Sequence, residues 1–115
     1  MAVEFTPAET EYLRSQRLAR VATASREGEV DVAPIGLHFD GQTFTVVGID
    51  ITQTLKYQNA RQNSRAALVA DDLASVDPWR PRGVKVHGDV EVVDQDERPT
   101  LKITPTRKWS WGINA

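Results

Sequence analysis

The sequence predicts a mainly β protein, a small antiparallel barrel of six strands with two short helices at its periphery. Three observations support this fold class. Most segments alternate apolar and polar residues as half-buried strands do, the connections between strands are short and turn-like, and the crossover helices that a parallel sheet requires are missing. Closing the sheet into a barrel would also remove exposed strand edges.

Composition limits both the size and the chemistry of the protein. The chain has 115 residues, 14 Lys and Arg, 16 Asp and Glu, two histidines and no cysteine. We expect a single domain over 1–115. The absence of cysteine excludes disulfide scaffolds, thiolate nucleophiles and Cys-based metal sites, and two histidines are too few for a His-rich metal cluster.

Charge and hydropathy indicate which partners to expect. A formal net charge of −2 argues against binding nucleic acid or an anionic membrane through bulk charge. No apolar run approaches the length of a membrane span or a signal-peptide core. We therefore expect a cytoplasmic protein that binds a small molecule.

A helix is predicted near the N-terminus, followed by three strands. Thr6 is its expected N-cap, Pro7 its first residue, and Glu9 completes a capping box. The helix should end near Gln16. Short turn-forming segments then separate strands over 18–25, 30–39 and 43–49. Together these strands predict an antiparallel meander.

The second of these strands has one apolar face and one open face. Pro34, Gly36 and His38 occupy the open face. Pro34 cannot donate to a ladder and Gly36 carries no side chain, so a planar molecule could approach this backbone. An edge strand with a bulge explains the same residues, and the sequence favours that simpler interpretation.

The second half of the chain predicts one helix and three strands. The helix covers 52–63 with Thr52 as its N-cap, and the strands cover 65–70, 84–92 and 101–104. The strand over 84–92 should bend at Gly88. We expect a loop over 73–82, a polar turn over 94–99, and a tail that carries Arg107, Trp109 and Trp111.

The start of the second helix is the most informative candidate site. The dinucleotide-binding, phosphate-loop, zinc-protease and serine-hydrolase motifs are all absent from the sequence. A helix N-terminus offers unpaired N–H groups and a partial positive charge, to which Thr52, Thr54 and Lys56 would add donors and a full charge for a phosphate. Alternatively, Thr52 only caps the helix and Lys56 is a solvated surface lysine.

Histidines and tryptophans are the other candidates. His38 and His87 lie on strand faces turned away from the core, where a histidine is more often exposed than catalytic. The tryptophans lie near arginines in sequence, which suits stacking on a planar ligand, and equally a subunit interface. No acid–base pair has a recognisable spacing, so the catalytic residues stay unknown and any enzyme activity would depend on a bound cofactor.

Short motifs over most of the chain form a recognisable set. They lie at 17–23, 33–36, 54–57, 63–65 and 67–72. In order and spacing they resemble the pyridoxamine-phosphate-oxidase-like family of split β-barrel flavin and deazaflavin oxidoreductases. The segments at 77–83, 105–107 and 110–112 are similar to its short actinobacterial branch, which uses the deazaflavin coenzyme F-420.

The resemblance implies an FMN-binding-type split barrel that forms a homodimer, with two equivalent cofactor sites at the subunit interface. The family's phosphate anchor matches Thr52, Thr54 and Lys56. The strand whose backbone lies against the flavin-like ring matches Pro34, Ile35 and Gly36. The C-terminal segment that covers the cofactor pocket matches Arg107 and Trp111.

The resemblance also implies a reaction. We expect a reductase that transfers a hydride from reduced F-420 to an electron-poor organic substrate such as an enone, for example a dehydrotetracycline-type metabolite. An FMN-binding oxidoreductase and a non-catalytic carrier of a deazaflavin or haem-like ligand are the alternatives. Tyr57 and His38 are both available as proton donors.

Classical family members carry a C-terminal extension that binds substrate, and this chain stops at Ala115, so oxidation of pyridoxamine phosphate is not expected.

Overall fold

The computed structural model describes residues 3–95 and 98–113. The helices are α1 (Pro7–Ser15) and α2 (Leu55–Gln62), and a 3-10 turn, Ile51–Gln53, precedes α2. The strands are β1 (Leu18–Ala24), β2 (Val30–Gly36), β3 (Phe44–Val46), β4 (Arg65–Ser75), β5 (Arg80–Gln95) and β6 (Arg98–Trp111). None of the helices described is both long and apolar enough to cross a membrane.

The six strands form one antiparallel sheet in the order β2-β1-β4-β5-β6-β3. The sheet curls until its two ends approach each other. Just beyond β2, Phe39 forms an isolated bridge with Phe44, and the Thr45 N–H donates to the His38 carbonyl at 3.0 Å. The predicted six-stranded antiparallel barrel with two short helices is therefore confirmed, in the form of a curled and partly open sheet.

The predicted meander is correct only for its first hairpin. β1 pairs with β2 over its whole length, but β3 pairs with β6, with Phe44 opposite Ile103. The turn at Asp40 does form, because its carboxylate accepts hydrogen bonds from the Gln42 and Thr43 N–H groups. Beyond it the chain bends to the far end of the sheet, where Phe44 is buried in the core.

Helix α1 begins as predicted and is held to the sheet by a buried carboxylate. The Glu9 N–H donates to Thr6 Oγ1 at 3.1 Å, and the Thr6 N–H donates to Glu9 Oε1 at 2.9 Å. Glu9 also accepts hydrogen bonds from Lys108 Nζ and from Ser110 Oγ on β6. Burial disfavours the charged form, but these hydrogen bonds outweigh it and lower the pKa of Glu9.

A second polar cluster ties α1 to the β4–β5 hairpin. Arg82 donates to both carboxylate oxygens of Asp72, at 2.7 and 2.9 Å, and the Tyr12 hydroxyl donates to the same carboxylate at 2.9 Å. The Arg82 guanidinium holds the pKa of Asp72 below its usual value. Burial, with Asp72 beside it, raises the pKa of Tyr12.

Three strands, β4, β5 and β6, are longer than predicted. The expected loop over 73–82 is largely a hairpin, since β4 runs to Ser75, β5 begins at Arg80, and Leu73 pairs with Pro81. The expected tail is strand β6. Proline does not end β6, because Pro105 lies at a register shift opposite Gly88, where the ladder is already interrupted.

Gly88, where the sequence predicts a bend, lies at the register shift between β5 and β6. A Cβ atom there would collide with the carbonyl of Thr104 on β6, so only glycine fits this close approach. Of the polar turn predicted over 94–99, residues 96 and 97 lie outside the described part of the chain.

We predict that Glu9→Gln lowers the free energy of unfolding at pH 7 by about 1–3 kcal/mol, because it leaves the Lys108 ammonium without its carboxylate. The stabilisation from a lowered carboxyl pKa is complete above the unfolded value near 4.5 and is lost as the pH falls through the folded value. The difference between wild type and variant should therefore shrink in acid. Urea denaturation followed by circular dichroism at pH 7 and pH 4 measures it.

Glu11→Gln, on the exposed side of α1, is the matched control and should leave the unfolding free energy nearly unchanged. An equal effect of the two substitutions, or a difference that grows in acid, would contradict this account of Glu9.

Candidate functional site

Strand β2 presents the open face that the sequence predicts. Pro34 and Gly36 are exposed, while Ile35 between them is buried and offers a ligand only its backbone. β2 lies at an edge of the sheet, as predicted. Its register with β1 is continuous from Ala24 opposite Val30 to Leu18 opposite Gly36, so the predicted bulge is absent from this strand.

The strand registers define the face of the sheet turned away from the core, here called the outer face. Cross-strand partners share a face, so each register row crosses five strands. One row consists of Val32, Ala22, Ala67, His87 and Arg107, and the next of Pro34, Arg20, Val69, Lys85 and Trp109. Arg107 is thus on the same face as Pro34 but four strands away, roughly 19 Å along the sheet.

The predicted anchor at the start of α2 is built differently from the expectation. Thr54, and not Thr52, is the N-cap, since its Oγ1 accepts a hydrogen bond from the Tyr57 N–H at 3.3 Å and donates to the Ile51 carbonyl at 2.6 Å. Thr52 belongs to the 3-10 turn, where its hydroxyl donates to Asp50 Oδ1 at 3.3 Å. Ile51 is buried and fixes this extra turn before the helix.

Of the three predicted anchor residues, Lys56 is the one that carries a positive charge. It lies in the first turn of α2, half-buried, and no ion pair involving it occurs among the described residues. The N–H groups of Leu55 and Lys56 are those that a helix leaves without an intrahelical partner. This end of α2 can therefore hold an anionic group.

A cavity that the sequence does not reveal adjoins the anchor. It has a volume of about 620 Å³ and is lined by residues 47–52 and 98–100. The pairing of Val46 with Leu101 brings Arg98 into this wall. Only a prediction that paired β3 with β6 would have identified Arg98.

The C-terminal residues form an aromatic and basic cluster on the outer face. Lys85 Nζ lies 4.6 Å and Arg107 Cζ 4.8 Å from the ring centre of Trp109, and the His87 ring meets it edge-on at 4.7 Å. Trp111 lies over Gly83. Trp79 is apart from this cluster, exposed in the β4–β5 turn. Within one chain, then, Arg107 and Trp111 do not meet the open face of β2.

His38 and Tyr57 occupy different environments. His38 is exposed and is one of the residues that line a cavity of about 370 Å³, together with Arg14 and Asp40. Tyr57 packs against the hydrophobic core, with the Arg61 guanidinium 6.0 Å from the centre of its ring. Within the described residues, no three acidic or histidine side chains converge as a metal site requires.

A family model described as pyridoxamine 5'-phosphate oxidase matches residues 5–109. The chain belongs to this family. A curated relative from Streptomyces rimosus, the 5a,11a-dehydrotetracycline/5a,11a-dehydrooxytetracycline reductase, is 33% identical over 119 residues, covering 95% of this chain and 84% of the relative. This relative supports the resemblance to the short actinobacterial branch.

Solved structures share the fold at low sequence identity. A conserved hypothetical protein of Mycobacterium tuberculosis has a TM-score of 0.76 at 19% identity, covering 96% of this chain and 86% of its own. HutZ, the haem storage protein of Vibrio cholerae, has a TM-score of 0.76 at 10% identity over 97% and 98% of the two chains. The FAD binding protein of Mycobacterium smegmatis has a TM-score of 0.72 at 17% identity over 96% and 98%.

We predict that Thr54→Ala destabilises the protein by about 1 kcal/mol, since it removes the N-cap of α2. Thr52→Ala, two residues earlier, is the matched control and should cost less than about half of that, because its hydroxyl meets only the exposed Asp50. Thermal and urea unfolding measure both. A larger effect at Thr52 would restore it as the cap.

Proposed function

We propose that this protein is a homodimeric reductase that binds reduced coenzyme F-420 and uses it to reduce an electron-poor organic substrate such as a conjugated enone. Family membership and the reductase among its relatives make the chain an oxidoreductase. The observation that carries the finer proposal is the 33% identity over 95% of the chain with an enzyme named for the reduction of dehydrotetracyclines. A metabolite of that type is a candidate substrate.

The described residues suit a planar ring with an anionic extension. A Cβ atom at Gly36 would meet only His38, at 3.5 Å, so the glycine leaves an open surface at the exposed end of β2. Pro34 adds a rigid apolar surface, and Lys56 with the first N–H groups of α2 would hold a phosphate. Bound reduced deazaflavin would supply the hydride, and the chain would supply orientation and exclusion of water. FMN shares the ring shape and the phosphate, and is the alternative cofactor.

The outer face supports the homodimer. Leu18, Val30 and Val32 are exposed on it by 55%, 84% and 65%, and the small side chains of Ala22 and Ala67 lie between β2 and β5. Exposed apolar surface of this kind is favourable to bury against a second copy. A two-fold interface would place one subunit's C-terminal strand over the other's β2, which would complete a site with Arg107 and Trp111.

Cofactor titrations test the proposal. The purified protein should bind F-420 with a dissociation constant in the micromolar range or below, and FMN at least tenfold more weakly. Lys56→Ala should weaken F-420 binding by about 1–3 kcal/mol through loss of a charge-assisted contact. Arg61→Ala, in the last turn of the same helix, is the control and should bind normally.

Retention of FMN through purification would overturn the choice of F-420. Equal affinity of Lys56→Ala and wild type would show that Lys56 is a surface lysine. Tight F-420 binding without reduction of any enone in a broad panel would favour a carrier.

Val32→Glu should convert the dimer into a folded monomer and weaken F-420 binding at least tenfold, because it buries a charge at the proposed interface. Val76→Glu is the matched control, since Val76 is 69% exposed but lies in the β4–β5 turn, away from the register rows of the outer face. Sedimentation at micromolar concentration, with circular dichroism to verify folding, measures the outcome. A monomeric wild type or a dimeric Val32→Glu would refute the interface.

A further inference from the structure

His38 lies just beyond the end of β2, between the exposed Gly36 and a cavity that α1 helps to line. Its Nε2 atom lies 3.5 Å from the point that a Cβ on Gly36 would occupy. His38 is also one of the residues that line the cavity of about 370 Å³, together with Arg14, Gln16 and Asp40. A planar molecule on the β2 face and a second molecule in the cavity would both have this imidazole at their edge.

The backbone of His38 is fixed while its ring is free. Its carbonyl accepts a hydrogen bond from the Thr45 N–H, and the preceding Leu37 N–H donates to the Arg17 carbonyl at 3.0 Å. Leu37 and Phe39 on either side pack against the core. The neighbouring carboxylate of Asp40 is already bound by the Gln42 and Thr43 N–H groups and the Thr43 hydroxyl. Among the described residues the imidazole has no hydrogen-bond partner, so it can serve a ligand.

The other candidate proton donors are less well placed. Tyr57 packs on the core and lines neither the cavity beside α1 nor the one beside the α2 start. His87 lies on β5, its ring edge-on to Trp109, and the register puts it three strands from β2. Of these three rings, His38 is the one that lies beside Gly36, at the end of the proposed cofactor surface.

We propose that His38 is a catalytic residue that binds the substrate's carbonyl oxygen and protonates it during reduction. This inference rests on the proposed reductase function. Addition of a hydride to the β carbon of an enone, with reduced deazaflavin as the reductant, moves the π electrons onto the carbonyl oxygen and gives an enolate. Protonated His38 donates its Nε2 proton to that oxygen and becomes neutral.

The resulting enol tautomerises to the saturated ketone, and solvent reprotonates the exposed imidazole. One hydride and one proton therefore account for both hydrogens gained by the product. Arg14 in the same cavity wall adds positive charge where the oxygen becomes negative, and the Asp40 carboxylate of that wall already accepts hydrogen bonds from the Gln42 and Thr43 N–H groups.

A binding experiment tests His38 without turnover. The probe is para-nitrophenolate, a planar oxyanion that resembles an enolate, titrated into the protein with and without F-420. Because the chain has two histidines, His38→Gln and His87→Gln assign the two sets of ring C–H resonances in NMR spectra. We expect the His38 signals alone to shift, and affinity to fall at least tenfold in His38→Gln but not in His87→Gln. Shifts at His87, no shift at either ring, or an unchanged affinity in His38→Gln would overturn the assignment.

Kinetics separate this inference from the proposed function. With cyclohexenone and reduced F-420, His38→Gln should lower kcat at least about tenfold, because an amide cannot act as a general acid. KM and F-420 affinity should stay within twofold, because the Gln amide N–H can still donate a hydrogen bond to the substrate's carbonyl oxygen. Added imidazole should restore part of the rate of His38→Ala. If His38→Gln binds F-420 and reduces the enone at the wild-type kcat, the inference fails and the reductase stands. If wild type binds no F-420, the reductase proposal fails, and the nitrophenolate titration of the protein alone still decides whether His38 binds an oxyanion.

Discussion

The pairing of β5 with β4 on one side and β6 on the other determines the rest of this molecule. Val84, Val86 and Val90 point inward and are almost completely buried, while Lys85 and His87 between them point outward. A slip of one residue would exchange the two faces, so the valines fix the register of the neighbouring strands as well. Because Gly88 has no side chain, β6 can lie close to β5 at this point. β6 pairs with β5 on both sides of the register shift next to Pro105.

Because the inner face is filled by the core, chemistry is confined to the outer face, the sheet edge and the ends of the barrel. α1 contributes Arg14 to the wall of the cavity beside His38, but two of its other polar side chains serve the fold. Its Glu9 is committed to Lys108 and Ser110, and its Tyr12 is committed to Asp72. The Glu9 contacts hold the C-terminal strand β6 against α1, and the Tyr12 contact holds β4 against α1.

Sequence reasoning succeeded where the deciding forces are local and failed where distant segments compete. The capping box of Thr6 and Glu9, the alternation around Gly88 and the open face of β2 all depend on neighbouring residues, and all were predictable. The partner of β3 was not, because the turn at Asp40 favours a hairpin whereas burial of Phe44 draws the strand to β6. Arg98 escaped prediction for the same reason.

The N-cap of α2 is a second example in which the local sequence is not enough to predict the structure. Asp50, Thr52 and Thr54 can each cap a helix, so the local sequence does not decide between them. Burial of Ile51 decides, since it places a 3-10 turn first and leaves Thr54 at the start of the helix. The proposed anchor consequently depends on Lys56 and the first N–H groups of α2. The Thr52 and Thr54 hydroxyls contribute less, because they already form hydrogen bonds within the protein.

In such a small barrel, a residue can serve a ligand if its backbone is held in place by the fold and its side chain is not buried in the core. Gly36, His38 and Arg107 all meet this condition, on the edge strand, just beyond it and on the C-terminal strand. Because β2 and β6 are four strands apart, roughly 19 Å along the sheet, the residues proposed to bind the cofactor form two separate groups on one subunit. The proposed homodimer would bring these two groups together around one cofactor.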